Sequence, residues 1–319
     1  MDSGYKPEGK ILWDSWFIKK GGDYHVFYLQ TKATENPQDR HNSNVSIGHA
    51  ASKNLVEWRE LPYALEVGKP GSWDDLALWT GSVIKKGKTY FMFYTGRCRK
   101  AFWIQKIGLA NSKDLISWEK YEGNPLLEAK KYYYIDNRKN RLGKVGAWRD
   151  PFVFWDEKSD NYYMLVSARE KNAGRQYNGC VAICSSKNLL DWKILPPIFS
   201  PKVFDEIETT QMIVKDGVYY LFFSTQKENL KPDYAEKNGL LGGLYCFYSN
   251  DLFGKYTPVN KNGVVLANEE KMYDIRLIHA EKNLYHAIGW LNKTKNKTFE
   301  GSLSQPFKIK IEKDEVGPI

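Results

Sequence analysis

A turn followed by a run of alternating aromatic residues occurs five times in the chain, and it limits the fold more than any other feature. The copies are Gly22-Asp23-Tyr24-His25-Val26-Phe27-Tyr28, Gly87-Lys88-Thr89-Tyr90-Phe91-Met92-Phe93-Tyr94, Asp160-Asn161-Tyr162-Tyr163-Met164-Leu165, Gly217-Val218-Tyr219-Tyr220-Leu221-Phe222-Phe223 and Asn283-Leu284-Tyr285-His286-Ala287-Ile288. Each puts turn chemistry ahead of a β-rich run, as in the second strand of a hairpin. A second phrase recurs as Ser52-Lys53-Asn54-Leu55-Val56-Glu57-Trp58, Ser112-Lys113-Asp114-Leu115-Ile116-Ser117-Trp118 and Ser186-Lys187-Asn188-Leu189-Leu190-Asp191-Trp192, with a fainter copy from Ser249 to Leu252. Trp58, Trp118 and Trp192 lie 60 and 74 residues apart. That spacing is too long for the short solenoid repeats and suits a four-stranded sheet with its connections. No segment of helical period competes, so the pattern predicts an all-β fold, a five-bladed β-propeller taking in residues 1–319 as one domain.

In such a fold the strand before each hairpin tyrosine lines the axis. Counting back, Asp14 precedes Tyr24 by 10 residues, Trp79 precedes Tyr90 by 11, Asp150 precedes Tyr162 by 12, Glu208 precedes Tyr219 by 11 and Asp274 precedes Tyr285 by 11. Equivalent positions of radially arranged sheets converge at one end, so four blades are expected to bring a carboxylate and one a tryptophan to a single pocket. Clustered like charges raise one another's pKa, which yields a protonated acid beside an ionised base, the pair that glycosidic cleavage needs. Axial polar residues around water or a calcium ion are the plainer alternative. At Trp148-Arg149-Asp150-Pro151, proline's missing donor places Asp150 at the start of a strand, just ahead of its regular part.

Composition narrows the partners. With 47 basic and 38 acidic residues the net charge is +9, but the two signs alternate along most of the chain, as on a solvated surface, and no continuous basic face points to nucleic acid. Four cysteines without paired metal-ligand spacing and five scattered histidines give no zinc site, and no metal or cofactor is expected. The polar stretch Met1–Lys10 has no signal-peptide core and no segment is apolar enough to span a membrane, which predicts a cytoplasmic protein.

Taken together and in order, these residues resemble the five-bladed β-propeller glycosidases, the superfamily of invertases, levansucrases and arabinanases (glycoside hydrolase families 32, 68 and 43). Trp13-Asp14-Ser15-Trp16 is similar to the nucleophile motif of levansucrases, and Tyr24 to Tyr28 with Gln30 to the strand that follows it in invertases. Trp79-Thr80-Gly81-Ser82 resembles their Trp-Ser-Gly-Ser segment, Arg149-Asp150-Pro151 their Arg-Asp-Pro motif, and Glu208-Thr209-Thr210-Gln211 the place of their acid/base glutamate. The resemblance covers about residues 10 to 290 and implies a retaining attack on a furanoside, most of all a β-fructofuranoside such as sucrose, sucrose phosphate or a fructan. It implies Asp14 as nucleophile, Glu208 as acid/base and Asp150 as stabiliser of the transition state, with Arg149 keeping Asp150 ionised and oriented. Substrate contacts are expected from Gln30, Ser82, Arg149 and two of the three tryptophans Trp13, Trp16 and Trp79, and from Asp274 on the strength of its offset alone, since the resemblance gives it no role.

Several points depart from the family or stay open. Thr209-Thr210 stands where invertases have Cys-Pro and levansucrases Arg-Pro, and Glu206 competes with Glu208 for the acid role. With the sequence stopping soon after the fifth hairpin, a single propeller domain without the C-terminal β-sandwich of invertases is the expectation. An inverting arabinanase- or xylosidase-like enzyme and a glycan-binding propeller without catalysis are the alternatives. Asp274 has a second reading as a structural acid paired with Arg276. The basic segment 130–149 leads into the Asp150 strand, and it is either a solvated loop or a binder of a phosphate ester through Arg138, Lys139 and Arg141.

Overall fold

The computed structural model describes residues 3–33, 36–37, 39–134, 147–267, 271–293 and 299–319. The basic residues Arg138, Lys139, Arg141 and Lys144 lie outside the described residues. Five antiparallel sheets follow one another along the chain. Their innermost strands are Lys10–Lys20, Ala77–Lys86, Trp148–Asp156, Glu208–Lys215 and Met272–Glu281, and each forms a hairpin with the strand after it. The aromatic runs are those second strands, as the repeats predict: Asp23–Lys32, Thr89–Arg97, Asn161–Arg169, Val218–Thr225 and Leu284–Lys293.

Alternation along these strands is what fills the spaces between blades. In Val218–Thr225, Tyr219, Leu221 and Phe223 pack with Phe154 and Tyr163 of blade 3, while Tyr220 and Phe222 pack with Ile275 and Leu277 of blade 5. In blade 2, Tyr90, Met92 and Tyr94 turn towards blade 1 and Phe93 towards Trp148 and Met164 of blade 3. A sheet buried on both faces needs apolar side chains at every position, and each such side chain contributes roughly 1.5–3 kcal/mol on burial. The outer edges are blunted by strands of two residues, Glu119–Lys120, Lys193–Ile194 and Thr257–Pro258, too short to template pairing with another chain.

The second repeated phrase is the turn that leads out of the third strand. Ser52 Oγ accepts from the amide of Leu55, Asn54 Oδ1 accepts from those of Val56 and Glu57, and the Trp58 indole donates to the Leu55 carbonyl. Leu55, Leu115 and Leu189 are buried with φ of 65°, 72° and 73°, a conformation that these side-chain bonds and the leucine's burial hold in place. The copy at Ser249 keeps the Asp251 bond to Phe253, with the Tyr256 hydroxyl donating to Leu252 in place of the indole.

Inner strands splay too far apart to share a backbone ladder, so side chains join them. Ser82 Oγ accepts from Val153 N, and Gln211 bonds both the amide and the carbonyl of Leu277. The ring closes where Ser3 bridges Ser304 and the Gly4 amide donates to the Leu303 carbonyl, so the start of the chain pairs with the last blade. Among the described residues there is one α-helix, Pro232–Asn238, and no helix is long and apolar enough to cross a membrane.

Candidate active site

All five inner strands break register at the same height. One extra residue sits between Trp13 and Ser15, between Trp79 and Gly81, between Arg149 and Phe152, between Glu208 and Gln211 and between Tyr273 and Arg276. A bulge of this kind bends the strand and re-aims a side chain. Pro151 falls within the third bulge, where no ladder donor is needed, so Asp150 lies inside the strand, not ahead of it as the sequence suggests. Asp150, Thr209 and Asp274 take φ of 57°, 53° and 45° there, left-handed values that a non-glycine residue holds only when its surroundings fix it.

These bulges define two rings of equivalent residues. Asp14, Thr80, Asp150, Thr209 and Asp274 open the five bulges, and Trp13, Trp79, Arg149, Glu208 and Tyr273 immediately precede them. The equivalence drawn from offsets is therefore corrected in two blades: Trp79 and Glu208 belong to the second ring, one residue earlier than Asp14. Four members of each ring line one cavity of about 370 Å³, the exceptions being Trp13 and Asp274.

Asp14, Asp150 and Glu208 share that cavity, each held differently. The Thr80 hydroxyl donates to Asp14 Oδ2 at 2.5 Å and the Trp290 indole to Oδ1 at 2.9 Å. Asp150 Oδ2 accepts from the Thr209 amide and the Ser167 hydroxyl, both at 3.0 Å. Glu208 accepts from Arg149 Nη2 at 2.7 Å on one oxygen and from the Tyr273 hydroxyl at 2.5 Å on the other. The same Arg149 nitrogen donates to Glu206 at 2.8 Å, and Arg169 holds the other Glu206 oxygen. The expected Arg149–Asp150 pair is present at 3.7 Å, longer than the Arg149 contacts to Glu206 and Glu208, and Arg149 favours the ionised form of Asp150; the orienting role is corrected, because a backbone amide and a serine hold the carboxyl group.

Burial governs the charges. It pushes the Asp14 carboxyl up to about 7, with the nearby Asp274 and Glu208 adding to the rise and Thr80 and Arg276 opposing it. Asp150 is pushed up to about 6, again by burial first, with Arg149 opposing. Arg149 is held well above its usual range, because the carboxylates of Glu206, Glu208 and Asp150 outweigh the cost of its burial. Among the described residues no group of three or more histidine, cysteine, aspartate or glutamate side chains is placed to hold a metal ion.

Of the other residues singled out in the sequence, Trp79 and Arg149 line the cavity. Trp13, fully buried, supports its wall from behind against His41 and under the Arg40 guanidinium. Trp16 and Ser82 lie at the opposite end of the axis, where the side chain of Ser82 joins blades 2 and 3. Gln30 is buried towards the outside of blade 1 and bonds Ser46. Asp274 is 0% exposed, accepts from the Ser15 amide at 2.7 Å and pairs with Arg276 at 2.7 Å, in a close contact that is poorly aligned as a hydrogen bond. These five are corrected from substrate-binding to structural positions. Conversely, Arg40, Arg97, Tyr273 and Trp290 line the cavity with no repeated phrase to signal them.

The family model for the glycosyl hydrolases family 32 N-terminal domain matches residues 14–316. Similar curated proteins include 6(G)-fructosyltransferase of Asparagus officinalis, 28% identical over 199 residues (60% of this chain, 28% of that protein), and levanase of Bacillus subtilis, 28% identical over 199 residues (59% and 24%). The insoluble β-fructofuranosidase isoenzyme CWINV2 of Arabidopsis thaliana is 31% identical over 188 residues (57% and 28%). The matched stretch thus spans 24% to 28% of the length of these relatives. The fold is that of inulosucrase from Halalkalicoccus jeotgali bound to kestose, with a TM-score of 0.81 at 24% identity over 98% of this chain and 88% of that one. It is also that of Bacillus subtilis levansucrase, with a TM-score of 0.78 at 17% identity over 100% and 88%.

Proposed function

The chain belongs to glycosyl hydrolase family 32, and from that membership we propose that it cleaves a β-fructofuranosidic bond with retention of configuration. The observation that carries the reading is the set of three carboxyl groups on one cavity, each held by its own donors. An Asp14 oxygen attacks the anomeric carbon as the bond to the departing oxygen breaks, and Glu208 gives that oxygen its proton. The result is a glycosyl ester on Asp14. Glu208, now ionised, takes a proton from water, whose oxygen displaces Asp14 and frees the sugar; a sugar hydroxyl in place of water makes the reaction a transfer.

Thr80 and Trp290 fix both Asp14 oxygens, so the attacking group is oriented before substrate arrives. Asp150, fixed through Oδ2, accepts from sugar hydroxyls and stabilises positive charge developing at the ring. Arg149 ties Glu208 to Glu206 and the Tyr273 hydroxyl holds its other oxygen, so the acid/base group is positioned on the cavity wall before substrate arrives. A pocket for glycan binding alone has no use for an aspartate pinned at both oxygens beside a separate glutamate.

The test is a screen of sucrose, sucrose phosphate, short fructans and arabinofuranosides, with Asp14→Asn as the blank. Release of fructose, with a glycosyl ester found by mass spectrometry on the peptide containing Asp14, is the expected result. Arabinose release without fructose release, or a product of inverted configuration, overturns it.

A further inference from the structure

The far end of the axis holds a second cavity, of about 210 Å³, and all five inner strands reach it, through Ile18, Val83, Phe152, Gln211 and Leu277. It shares no lining residue with the catalytic cavity, and its charge is the reverse. The catalytic cavity gathers four carboxyl groups; among the described residues, the far cavity has Lys19, Arg276 and His279 as its titratable groups and no acid. Both amide atoms of Gln211 are taken by Leu277, whereas the indole N–H of Trp16, a residue of the same wall, is buried without an acceptor. An ion pair links the two cavities. Arg276 forms part of the far wall and lies 2.7 Å from Asp274, whose other oxygen accepts from the Ser15 amide at 2.7 Å, and Ser15 directly follows Asp14. Asp274 and Ser15 are themselves sealed from solvent.

We propose that the far cavity binds a small organic anion, a carboxylate on a compact apolar body, and that the bound anion slows the enzyme by acting on Asp14 through Arg276 and Asp274. The apolar walls take the body, and Lys19 and Arg276 meet the carboxylate with charge-assisted hydrogen bonds. Arg276 favours the ionised forms of Asp274 and of Asp14. An anion beside it offsets that positive charge, so both carboxyl groups keep their protons to higher pH and less Asp14 is ionised for attack. The groups that face Asp14 are the acids Asp150, Glu208 and Asp274 and the cations Arg40 and Arg276, and of these Arg276 alone lines the far cavity. The slowing of turnover rests on the glycosidase reading; the site and its link to Asp14 do not.

Benzoate is the probe and benzamide its neutral match. Calorimetry on the wild type is expected to show saturable benzoate binding, with benzamide weaker by roughly tenfold or more, the worth of a charged hydrogen bond. Lys19→Gln, at an exposed side chain, should weaken benzoate about two- to fivefold, and Val83→Phe, which fills the cavity from one wall, should abolish binding. Both variants should keep their basal kcat/KM, since neither residue lines the catalytic cavity. At pH about 7, where Asp14 titrates, benzoate binding should take up protons, read from the heats in two buffers of different ionisation enthalpy, and Asp14→Asn should take up fewer. In turnover, benzoate should move the acid limb of kcat/KM to higher pH in the wild type and leave it in place in Val83→Phe. Absent benzoate binding, benzamide binding as tight as benzoate, or a benzoate Kd unaltered in Val83→Phe overturns the site; if that variant does not fold, Lys19→Gln decides, and an unchanged Kd there has the same meaning. Proton uptake that is equal with and without Asp14 overturns the link to the nucleophile. A wild type that releases no fructose sinks the glycosidase reading alone, because the calorimetry does not depend on turnover.

Discussion

Asp14 and Asp274 occupy the same place in blades 1 and 5, the first residue of a bulge in the inner strand, and they differ in everything else. Asp14 lines the cavity and is gripped by side chains from the two adjacent blades, Thr80 and Trp290. Asp274 is sealed, caps the amide of Ser15 next to Asp14, and has a cation on its own strand, Arg276. Among the described residues Asp14 has no such ion pair. Asp274 is sealed against a cation on its own strand and is committed to structure, whereas Asp14, held by neutral donors on the cavity wall, stays within reach of a ligand. The bulge supplies the position, and the neighbours decide its use.

Neutralising each acid in turn puts this contrast to its largest test. Asp14→Asn is expected to lower kcat by on the order of 10³-fold or more, the scale seen when a nucleophile is removed, and Asp274→Asn, which keeps an acceptor for Ser15, by less than about tenfold. Equal losses in steady-state kinetics would erase the distinction. Stability should rank the pair in the opposite order. Asp274→Ala leaves Arg276 buried without its partner and the Ser15 amide uncapped, a cost of about 3–5 kcal/mol in urea unfolding, while Asp14→Ala costs far less.

Thr80→Val sharpens the comparison by removing one grip on Asp14 while preserving shape. A hydrogen bond to a charged group contributes about 1.5–3 kcal/mol, so kcat is expected to drop roughly ten- to hundredfold with KM little altered. The smallest effect concerns pH. The folded state holds the Asp14 proton up to about 7 against 3.8 for the ordinary value. The folded protein therefore binds more protons than the unfolded one between those limits, and stability is lost as pH rises through that window. Asp14→Asn should flatten the slope and gain on the order of 1 kcal/mol at pH 8, read as a higher melting temperature; a mutant as pH-sensitive as the wild type would count against a raised Asp14.

Much of the fold was legible because period-two aromatics and turn residues are local signals, and a blade buried on both faces must repeat them. The offsets also led to the right strands, yet they misaligned two blades by one residue. In blades 1, 2 and 4 the bulge opens 10 residues before the tyrosine; in blade 3 the turn between Asp156 and Asn161 holds four residues where the others hold two, and in blade 5 an irregularity between His279 and Glu281 adds one. Counting along the chain absorbs such insertions, and one residue of slip moves a side chain to the other face of a strand.

By itself, then, the sequence determined five blades, the strands that meet at the axis, and the acids Asp14, Asp150 and Glu208 that end on one cavity. The tertiary structure alone decided that Asp274 is shut away and that Trp290, 276 residues from Asp14, holds its carboxyl group. It also decided that Arg149 serves Glu206 and Glu208 before Asp150. Repeats and motifs are written along the chain. The direction of a bulged side chain and the charge it keeps are set by donors and cations that reach it from other blades.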